Sequence, residues 1–143
     1  MPKIGGRCLC GAVAYEISGK PEMAFYCHCG RCRRWTGSAI AALMVIQSDQ
    51  LIVTKGKDQI HTYREGGYVN RSFCRVCGSS LFGFQWPDGP TTVVPMGTVE
   101  GEPGLQPRMH INVHFKASWH EITDEPRRRE EGTQRHCTDC WED

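Results

Sequence analysis

Seven of the nine cysteines lie in three short clusters with spacings typical of metal ligands. The clusters are Cys8-x-Cys10, Cys27-x-Cys29-x-x-Cys32 and Cys74-x-x-Cys77. A closed zinc site takes four protein ligands, whereas a catalytic zinc site takes three and keeps one position open. The count of seven therefore predicts one structural and one reactive zinc, two ions per chain.

The two outer clusters supply two thiolates each. Cys8 and Cys10 can present both sulfurs to one ion, because residues i and i+2 of a strand face the same side. Cys74 and Cys77 bracket a tight turn in a zinc-knuckle pattern, and the glycine that follows tolerates the backbone geometry of that turn. Each pair completes half a tetrahedron, so we expect one closed structural site that ties the N-terminal strand to the middle of the chain, formed by Cys8, Cys10, Cys74 and Cys77.

The middle cluster supplies three thiolates within six residues, Cys27, Cys29 and Cys32. One ion can take all three and offer a fourth position to water or to an incoming thiol. Zinc lowers the pKa of what it binds, so a substrate thiol would be held there as a thiolate that attacks an electrophilic carbon. The alternative is a site closed by an internal fourth ligand, for which the candidates are His28, His61 and His136.

The other histidines and the arginines carry weaker signals. His28 lies between two proposed ligands, so we expect its side chain to point away from the ion. Apolar residues alternate over 109–115, which predicts a strand with His110, Asn112 and His114 on its other face in structural or surface roles. Three arginines surround the middle cluster and form either a solvated basic loop or a rim that binds substrate carboxylates, namely Arg31, Arg33 and Arg34.

Short strands at close spacing, many glycines and no long amphipathic helix predict a mainly β domain over residues 1–123. The predicted strands are 13–17, 51–54, 60–64, 68–73, 80–85 and 91–94. The apolar run 39–46 suits either a buried strand or a short buried helix. Residues 124–143 form a charged extension with an additional pair, Cys137 and Cys140, which could bind a metal, act as a redox pair or complete an intermolecular site.

Bulk properties narrow the class of protein. A chain of 143 residues is the size of one domain and needs no disulfide staples to fold. Neither a signal peptide nor a membrane span is visible, so we expect a cytoplasmic location, where thiols stay reduced. A net charge of +1 makes duplex nucleic acid an improbable partner. The sequence does not predict the oligomeric state.

Three motifs with their order and spacing resemble one known family. They are Gly6-Arg7-Cys8-Leu9-Cys10-Gly11-Ala12-Val13, Cys27-His28-Cys29-x-x-Cys32-Arg33-x-x-x-Gly37-Ser38 and Phe73-Cys74-x-x-Cys77-Gly78-Ser79. This combination is similar to the glutathione-dependent formaldehyde-activating enzymes, whose domain is shared with centromere protein V. The likeness continues through Gly97-Thr98-Val99, Pro107-x-x-His110-Ile111 and Lys116-x-x-Trp119, so it spans residues 5–119.

The resemblance implies an Mss4-like fold, in which small antiparallel sheets are organised around zinc. It implies that Cys8, Cys10, Cys74 and Cys77 hold the structural zinc and that Cys27, Cys29 and Cys32 hold the catalytic one. The implied activity is that of a carbon–sulfur lyase, which forms or cleaves S-hydroxymethylglutathione, with glutathione as co-substrate and formaldehyde or a related small electrophile as its partner. The extension with Cys137 and Cys140 is not part of the family pattern.

Two other functions remain open. The chain could be a non-catalytic module in which zinc organises a binding surface, or a protein that binds glutathione or another thiol without turnover. The second of these needs the same three thiolates as the enzyme, so the sequence does not separate the two. The residue that protonates the product oxygen is not identified by the sequence either.

Overall fold

The computed structural model describes residues 3–66, 69–124 and 127–128. Strands numbered in chain order form two sheets. The smaller sheet is fully antiparallel and has the order β10-β1-β2-β5. Its strands are β1 (Lys3–Arg7), β2 (Ala14–Ser18), β5 (Leu51–Lys55) and β10 (Val99–Glu100).

The larger sheet has eight strands in the order β12-β11-β3-β4-β9-β8-β7-β6. Its pairs are antiparallel except that β11 runs parallel to both β3 and β12. The strands are β3 (Met23–Cys27), β4 (Ala41–Gln47), β6 (Ile60–Gly66), β7 (Val69–Cys74), β8 (Ser80–Phe84), β9 (Thr91–Pro95), β11 (Met109–Ile111) and β12 (Arg127–Arg128). In the described part of the chain a short helix, α1 (Gly30–Thr36), connects β3 to β4, and 3-10 turns span Ser48–Gln50, Lys57–Gln59, Met96–Thr98 and Val113–Phe115.

The expected class of fold is confirmed: the molecule is mainly β, and small antiparallel sheets dominate it. The ambiguous apolar run 39–46 is a strand from Ala41 onward, β4, which lies between β3 and β9. Most of its residues are buried on both faces, which explains why the sequence shows a continuous apolar run without alternation.

The strand predicted over 109–115 is correct only as far as Ile111. Asn112 adopts the left-handed conformation, with φ 56° and ψ 38°, and a 3-10 turn follows. Asparagine accepts this conformation more readily than most residues, so the alternation of Val113 and Phe115 does not reflect a strand. Of the structural and surface roles expected for His110, the structure supports the structural one, because this side chain is 2% exposed.

Buried apolar residues form two core clusters, and each contains one group of cysteines. The first includes Tyr15, Phe82 and Trp86 and contains Cys8 and Cys74. The second is built from β3, β4, β9 and their neighbours, and contains Cys27, Cys29 and Cys32. Apart from the exposed Cys10, each group of thiols is therefore anchored in its own hydrophobic cluster.

Cys137, Cys140 and His136 lie outside the described residues, so their predicted roles stay predictions. The boundary between a domain of 1–123 and an extension of 124–143 also remains a prediction. Within the described part of the chain, no helix has the length and apolar character required to cross a membrane.

Candidate metal centres

The structure brings Cys8, Cys10, Cys74 and Cys77 together, with all four sulfurs within 4.8 Å of one another. The Cys10 sulfur lies 3.7 Å from that of Cys8 and 3.9 Å from that of Cys74. Four thiolates at the usual zinc–sulfur distance of about 2.3 Å in a tetrahedron have sulfurs about 3.8 Å apart. The spacing of this four-thiol cluster therefore fits a tetrahedral zinc site.

Two tight loops present these thiols. The first follows β1, where the backbone N–H of Cys8 donates to the carbonyl of Val13 at 3.1 Å. The second joins β7 to β8, where the N–H of Gly78 donates to the carbonyl of Cys74 at 2.8 Å. Gly78 has φ 81°, a conformation that a side chain would oppose, as expected for the glycine of a zinc knuckle. The N–H of Leu9 donates to the Ser79 hydroxyl at 2.9 Å and fixes the loops against each other.

The four thiols influence one another's ionisation, so their pKa values differ. Burial opposes ionisation of Cys8, but the N–H of Val13 and the thiols of Cys10 and Cys74 hold its pKa below the ordinary value. Burial likewise opposes ionisation of Cys77, yet the hydroxyl and N–H of Ser79 lower its pKa to about 5. For Cys10 the N–H of Ala12 favours the thiolate, but burial and the neighbouring thiols raise its pKa to about 11. All four sulfurs can be thiolates together only beside a cation, which is what a metal ion supplies.

The second group, the three-thiol cluster of Cys27, Cys29 and Cys32, has its sulfurs within 4.8 Å of one another. Cys27 ends β3, Cys29 is the N-cap of α1, and Cys32 lies in the first turn of that helix. The Cys29 sulfur accepts a hydrogen bond from the Cys32 N–H at 3.3 Å. The unpaired N–H groups at the start of a helix favour negative charge, so this position suits a thiolate.

Each of the three sulfurs receives an N–H donor. The Asn112 amide donates to Cys27 at 3.4 Å, and Arg71 Nη1 donates to Cys32 at 3.6 Å, in addition to the backbone donor to Cys29. Ile111 pairs with Cys27 at the ends of the parallel strands β11 and β3. Asn112 directly follows Ile111, and this pairing places its side chain near the Cys27 sulfur. Donors of this kind orient metal ligands and stabilise their charge.

Among the described residues, no histidine nitrogen joins the three sulfurs. His28 turns away: its Nε2 lies 2.8 Å from His110 Nδ1, and His110 Nε2 lies 2.9 Å from an Asp124 oxygen. Burial, and then the charges of His110, His120 and Lys116, lower the pKa of His28 to about 4, so it is neutral at physiological pH. His61 is exposed and lies against Phe73. Closure of the three-thiol cluster by His28 or His61 is thus not found.

The three arginines near this cluster have different surroundings. Arg31 Nη1 pairs with Glu65 Oε2 at 3.1 Å, and both side chains are largely buried. Arg33 Nη2 donates to the carbonyl of Phe115 at 3.4 Å. Arg34 is exposed and donates to the carbonyl of Gly30. Arg31 and Arg34 border a cavity of about 480 Å³, whereas Arg33 is not among its lining residues.

Several residues that complete this region were not predicted from the sequence. Glu65 Oε1 accepts from Arg71 Nε at 3.1 Å, and the Arg71 guanidinium lies 5.3 Å from the centre of the Trp35 ring. Burial lowers the pKa of Arg71, but the adjacent Cys32 and Glu65 outweigh burial and raise it. Arg71 and Asn112 approach the sulfurs only through strand pairing, so no short sequence motif predicts these contacts.

Comparison with known proteins identifies similar chains. The family model described as "Glutathione-dependent formaldehyde-activating enzyme" matches residues 3–115. An uncharacterized lyase of Schizosaccharomyces pombe is 30% identical over 90 residues, which cover 62% of this chain and 62% of the relative. A Pyrenophora teres f. teres protein provisionally named as a glutathione-dependent formaldehyde-activating enzyme is 29% identical over 83 residues, 55% of this chain and 44% of the relative. The chain thus spans less than two thirds of the length of these relatives.

One solved structure is similar in fold. The crystal structure of a Rhodobacter sphaeroides protein superposes with a TM-score of 0.56 at 28% sequence identity. The match covers 68% of this chain and 89% of the other.

Proposed function

The chain belongs to the glutathione-dependent formaldehyde-activating enzyme family, and from this premise we propose that it is a carbon–sulfur lyase that joins a thiol to a small aldehyde. Glutathione and formaldehyde are the proposed pair, because the family and several relatives carry those names. The observation that carries the proposal is the three-thiol cluster, in which three sulfurs converge and no fourth ligand joins them within the described residues.

The donor set fits zinc at both clusters. Three thiols that each accept an N–H bond are suited to hold a divalent cation, and four thiols at tetrahedral spacing are suited to enclose one. We assign the catalytic ion to Cys27, Cys29 and Cys32, and the structural ion to Cys8, Cys10, Cys74 and Cys77. When bound at the three-thiol cluster, zinc supplies Lewis acidity that lowers the pKa of a substrate thiol.

The proposed reaction balances without an oxidant or reductant. The thiolate sulfur attacks the carbonyl carbon, a sulfur–carbon bond forms, and the π electrons of the carbonyl move to oxygen. That oxygen takes one proton and yields the S-hydroxymethyl adduct, and the reverse steps return thiol and aldehyde. Asn112 and Arg71 hold Cys27 and Cys32 in place while the substrate thiol enters.

The described cysteines are grouped with metal-ligand spacing, which suits a compartment where thiols stay reduced, and we therefore also propose a cytoplasmic location. We propose that residues 1–123 carry the reaction and that the extension with Cys137 and Cys140 is accessory.

The proposal is tested with ¹³C-labelled formaldehyde and glutathione, by measuring the exchange rate between free and adduct carbon by NMR. We expect the zinc-loaded protein to accelerate exchange and Cys29→Ser to return it to the uncatalysed rate. The matched control is Ser18→Ala, an exposed residue at the end of β2 that lies outside the three cysteine motifs. If glutathione binds but the exchange is not accelerated, the protein is a thiol-binding protein and the proposed enzymatic function is wrong.

A further inference from the structure

Two buried nitrogen donors on neighbouring side chains have no acceptor within the described part of the chain. They are Nη2 of Arg71 on β7 and Nε1 of Trp35 on α1. The Arg71 guanidinium lies over the Trp35 ring, 5.3 Å from its centre, and both residues line the cavity of about 480 Å³. Buried donors are normally satisfied, so two donors without acceptors at one cavity indicate that a ligand supplies the acceptor.

The other nitrogens of Arg71 have partners that fix the guanidinium. Nη1 donates to the Cys32 sulfur at 3.6 Å, and Nε donates to Glu65 Oε1 at 3.1 Å. Glu65 is held in turn by Arg31, whose Nη1 lies 3.1 Å from its Oε2. The Arg71 side chain is 7% exposed, so it is oriented before any ligand binds. Donors that are oriented in advance need no reorganisation when charge develops beside them.

The covalent structure of arginine places the free donor near the reacting atoms. Nη1 and Nη2 are bonded to the same carbon, so Nη2 is adjacent to the nitrogen that contacts the Cys32 sulfur. In the proposed reaction the substrate thiol binds at the three-thiol cluster, and a single carbon separates its sulfur from the oxygen of the adduct. The carboxylates of glutathione lie much further along the tripeptide. Arg71 Nη2 is therefore better placed for the reacting oxygen than for a carboxylate of the thiol.

The chemistry of the reacting oxygen matches these two donors. Attack of the thiolate moves the π electrons of the carbonyl to oxygen, which carries negative charge until it takes a proton from water. Guanidinium and indole nitrogens are donors only, and the guanidinium keeps its proton, so both groups can stabilise the charge without titrating. Both nitrogens are shielded from solvent, where electrostatic interactions are stronger than in water.

We propose that Arg71 Nη2 and Trp35 Nε1 stabilise the oxygen of the aldehyde as the carbon–sulfur bond forms or breaks. The inference rests on the proposed function, because it takes thiol–aldehyde addition to be the reaction at the three-thiol cluster. Arg71 and Trp35 are then catalytic residues, and Glu65 is a positioning residue that acts through Arg71 Nε. The charge on oxygen is largest during the reaction, so these contacts should affect the rate more than the binding of either substrate.

Trp35→Phe is the main test, because phenylalanine keeps an aromatic ring beside Arg71 and removes the N–H donor. In the ¹³C exchange assay at saturating glutathione, the rate should fall at least about tenfold, since one donor to an oxyanion is worth about 10²–10³ in kcat elsewhere. The matched control is Trp86→Phe, because Trp86 is buried in the first core cluster and does not line the cavity. This control should lose stability and keep its rate. Equal losses of rate in the two variants overturn the inference.

A second pair of variants tests the guanidinium. Arg71→Lys keeps the positive charge but replaces three nitrogens by one, so the exchange rate per bound zinc should fall at least about tenfold. Arg64→Lys is the control, since Arg64 is exposed on β6, pairs with Asp88 and does not line the cavity. An unchanged rate per bound zinc in Arg71→Lys overturns the assignment of Arg71.

Calorimetric titration with glutathione alone separates this role from binding of the thiol. Without aldehyde, zinc-loaded Trp35→Phe and Arg71→Lys should bind glutathione within about twofold of the parent chain, because the lost contact is made only in the transition state. A loss of glutathione affinity as large as the loss of rate would assign the donors to a carboxylate of the thiol and overturn the inference. An unchanged rate in Trp35→Phe would leave its N–H facing a buried water and would overturn the inference as well.

The failures of the two proposals are distinguishable. If the parent chain accelerates exchange and both test variants match their controls, the inference fails and the proposed function stands. If the parent chain does not accelerate exchange, the proposed function fails and the inference fails with it.

Discussion

The donors that surround the three sulfurs come from three different parts of the chain. A backbone N–H of α1 serves Cys29, Asn112 after β11 serves Cys27, and Arg71 on β7 serves Cys32. Each donor reduces the mutual repulsion of neighbouring thiolates and fixes the direction of a sulfur. At the residue scale, therefore, two side chains that are not ligands are expected to set the affinity of the proposed metal site.

Asn112→Gly tests this directly. Glycine keeps the left-handed backbone at this position and removes the donor to Cys27, so the fold should be retained while metal is held less tightly. We expect zinc affinity at the three-thiol cluster to fall about 10- to 100-fold, measured by competition with a chromophoric chelator.

The matched control is Asn70→Ser. Asn70 is also buried, but its amide donates to the Trp86 carbonyl and to Asp88, not to a sulfur. This variant should lose stability and keep its zinc affinity. An equal loss of zinc in both variants would show that the effect of Asn112 is general destabilisation.

At the scale of elements, the loop after β1 is held in place by a glycine that follows β5. Gly56 has φ 72°, and a Cβ at this position would lie 1.8 Å from the carbonyl oxygen of Ala12. Ala12 belongs to the loop that carries Cys8 and Cys10. The lack of a side chain at Gly56 thus allows the end of β5 to pack directly against the loop that carries Cys8 and Cys10, half of the four-thiol cluster.

Gly56→Ala should destabilise the protein by about 2 kcal/mol or more, because both the backbone conformation and the space exclude a methyl group. Thermal unfolding should show a transition lowered by several degrees. Gly5→Ala on β1, where a Cβ meets no atom within 4 Å, is the control and should leave the transition almost unchanged. A neutral Gly56→Ala would contradict the close packing of this loop.

At the scale of the whole molecule, the two clusters differ in what they connect. The four-thiol cluster joins Cys10 to Cys74, 64 residues apart in sequence, and so closes a long segment of chain. The three-thiol cluster lies within six consecutive residues at the start of one helix. Loss of an ion from the first should open the fold, whereas neutral thiols of the second can remain buried as small apolar side chains.

Removal of metal by a chelator is therefore expected to occur in two phases. Zinc from the three-thiol cluster should leave first, with near-UV circular dichroism almost unchanged. Zinc from the four-thiol cluster should leave last and together with the native signal, since a structural zinc contributes on the order of 10–16 kcal/mol. Loss of tertiary structure in the first phase would contradict the assignment of structural and reactive sites.

The class of fold and the grouping of the cysteines could be predicted from the sequence, because both depend on short-range patterns. Spacings such as Cys27-x-Cys29 place ligands locally, and the structure indeed brings the predicted groups together. The sequence was insufficient for Arg71, Glu65 and Asn112, which reach the cluster through strand pairing over long sequence separations. The turn at Asn112 was missed because apolar alternation hides a single left-handed residue.

Whether one thiol cluster is closed and the other open is tested by native mass spectrometry of the zinc-loaded chain with and without glutathione. The chain should carry Cys137→Ser and Cys140→Ser, so that only the two clusters can supply thiolates. We predict two zinc ions and one glutathione adduct, and for an added Cys29→Ser one zinc ion and no adduct. A single zinc ion in the parent chain, or an adduct that persists in Cys29→Ser, would contradict the account.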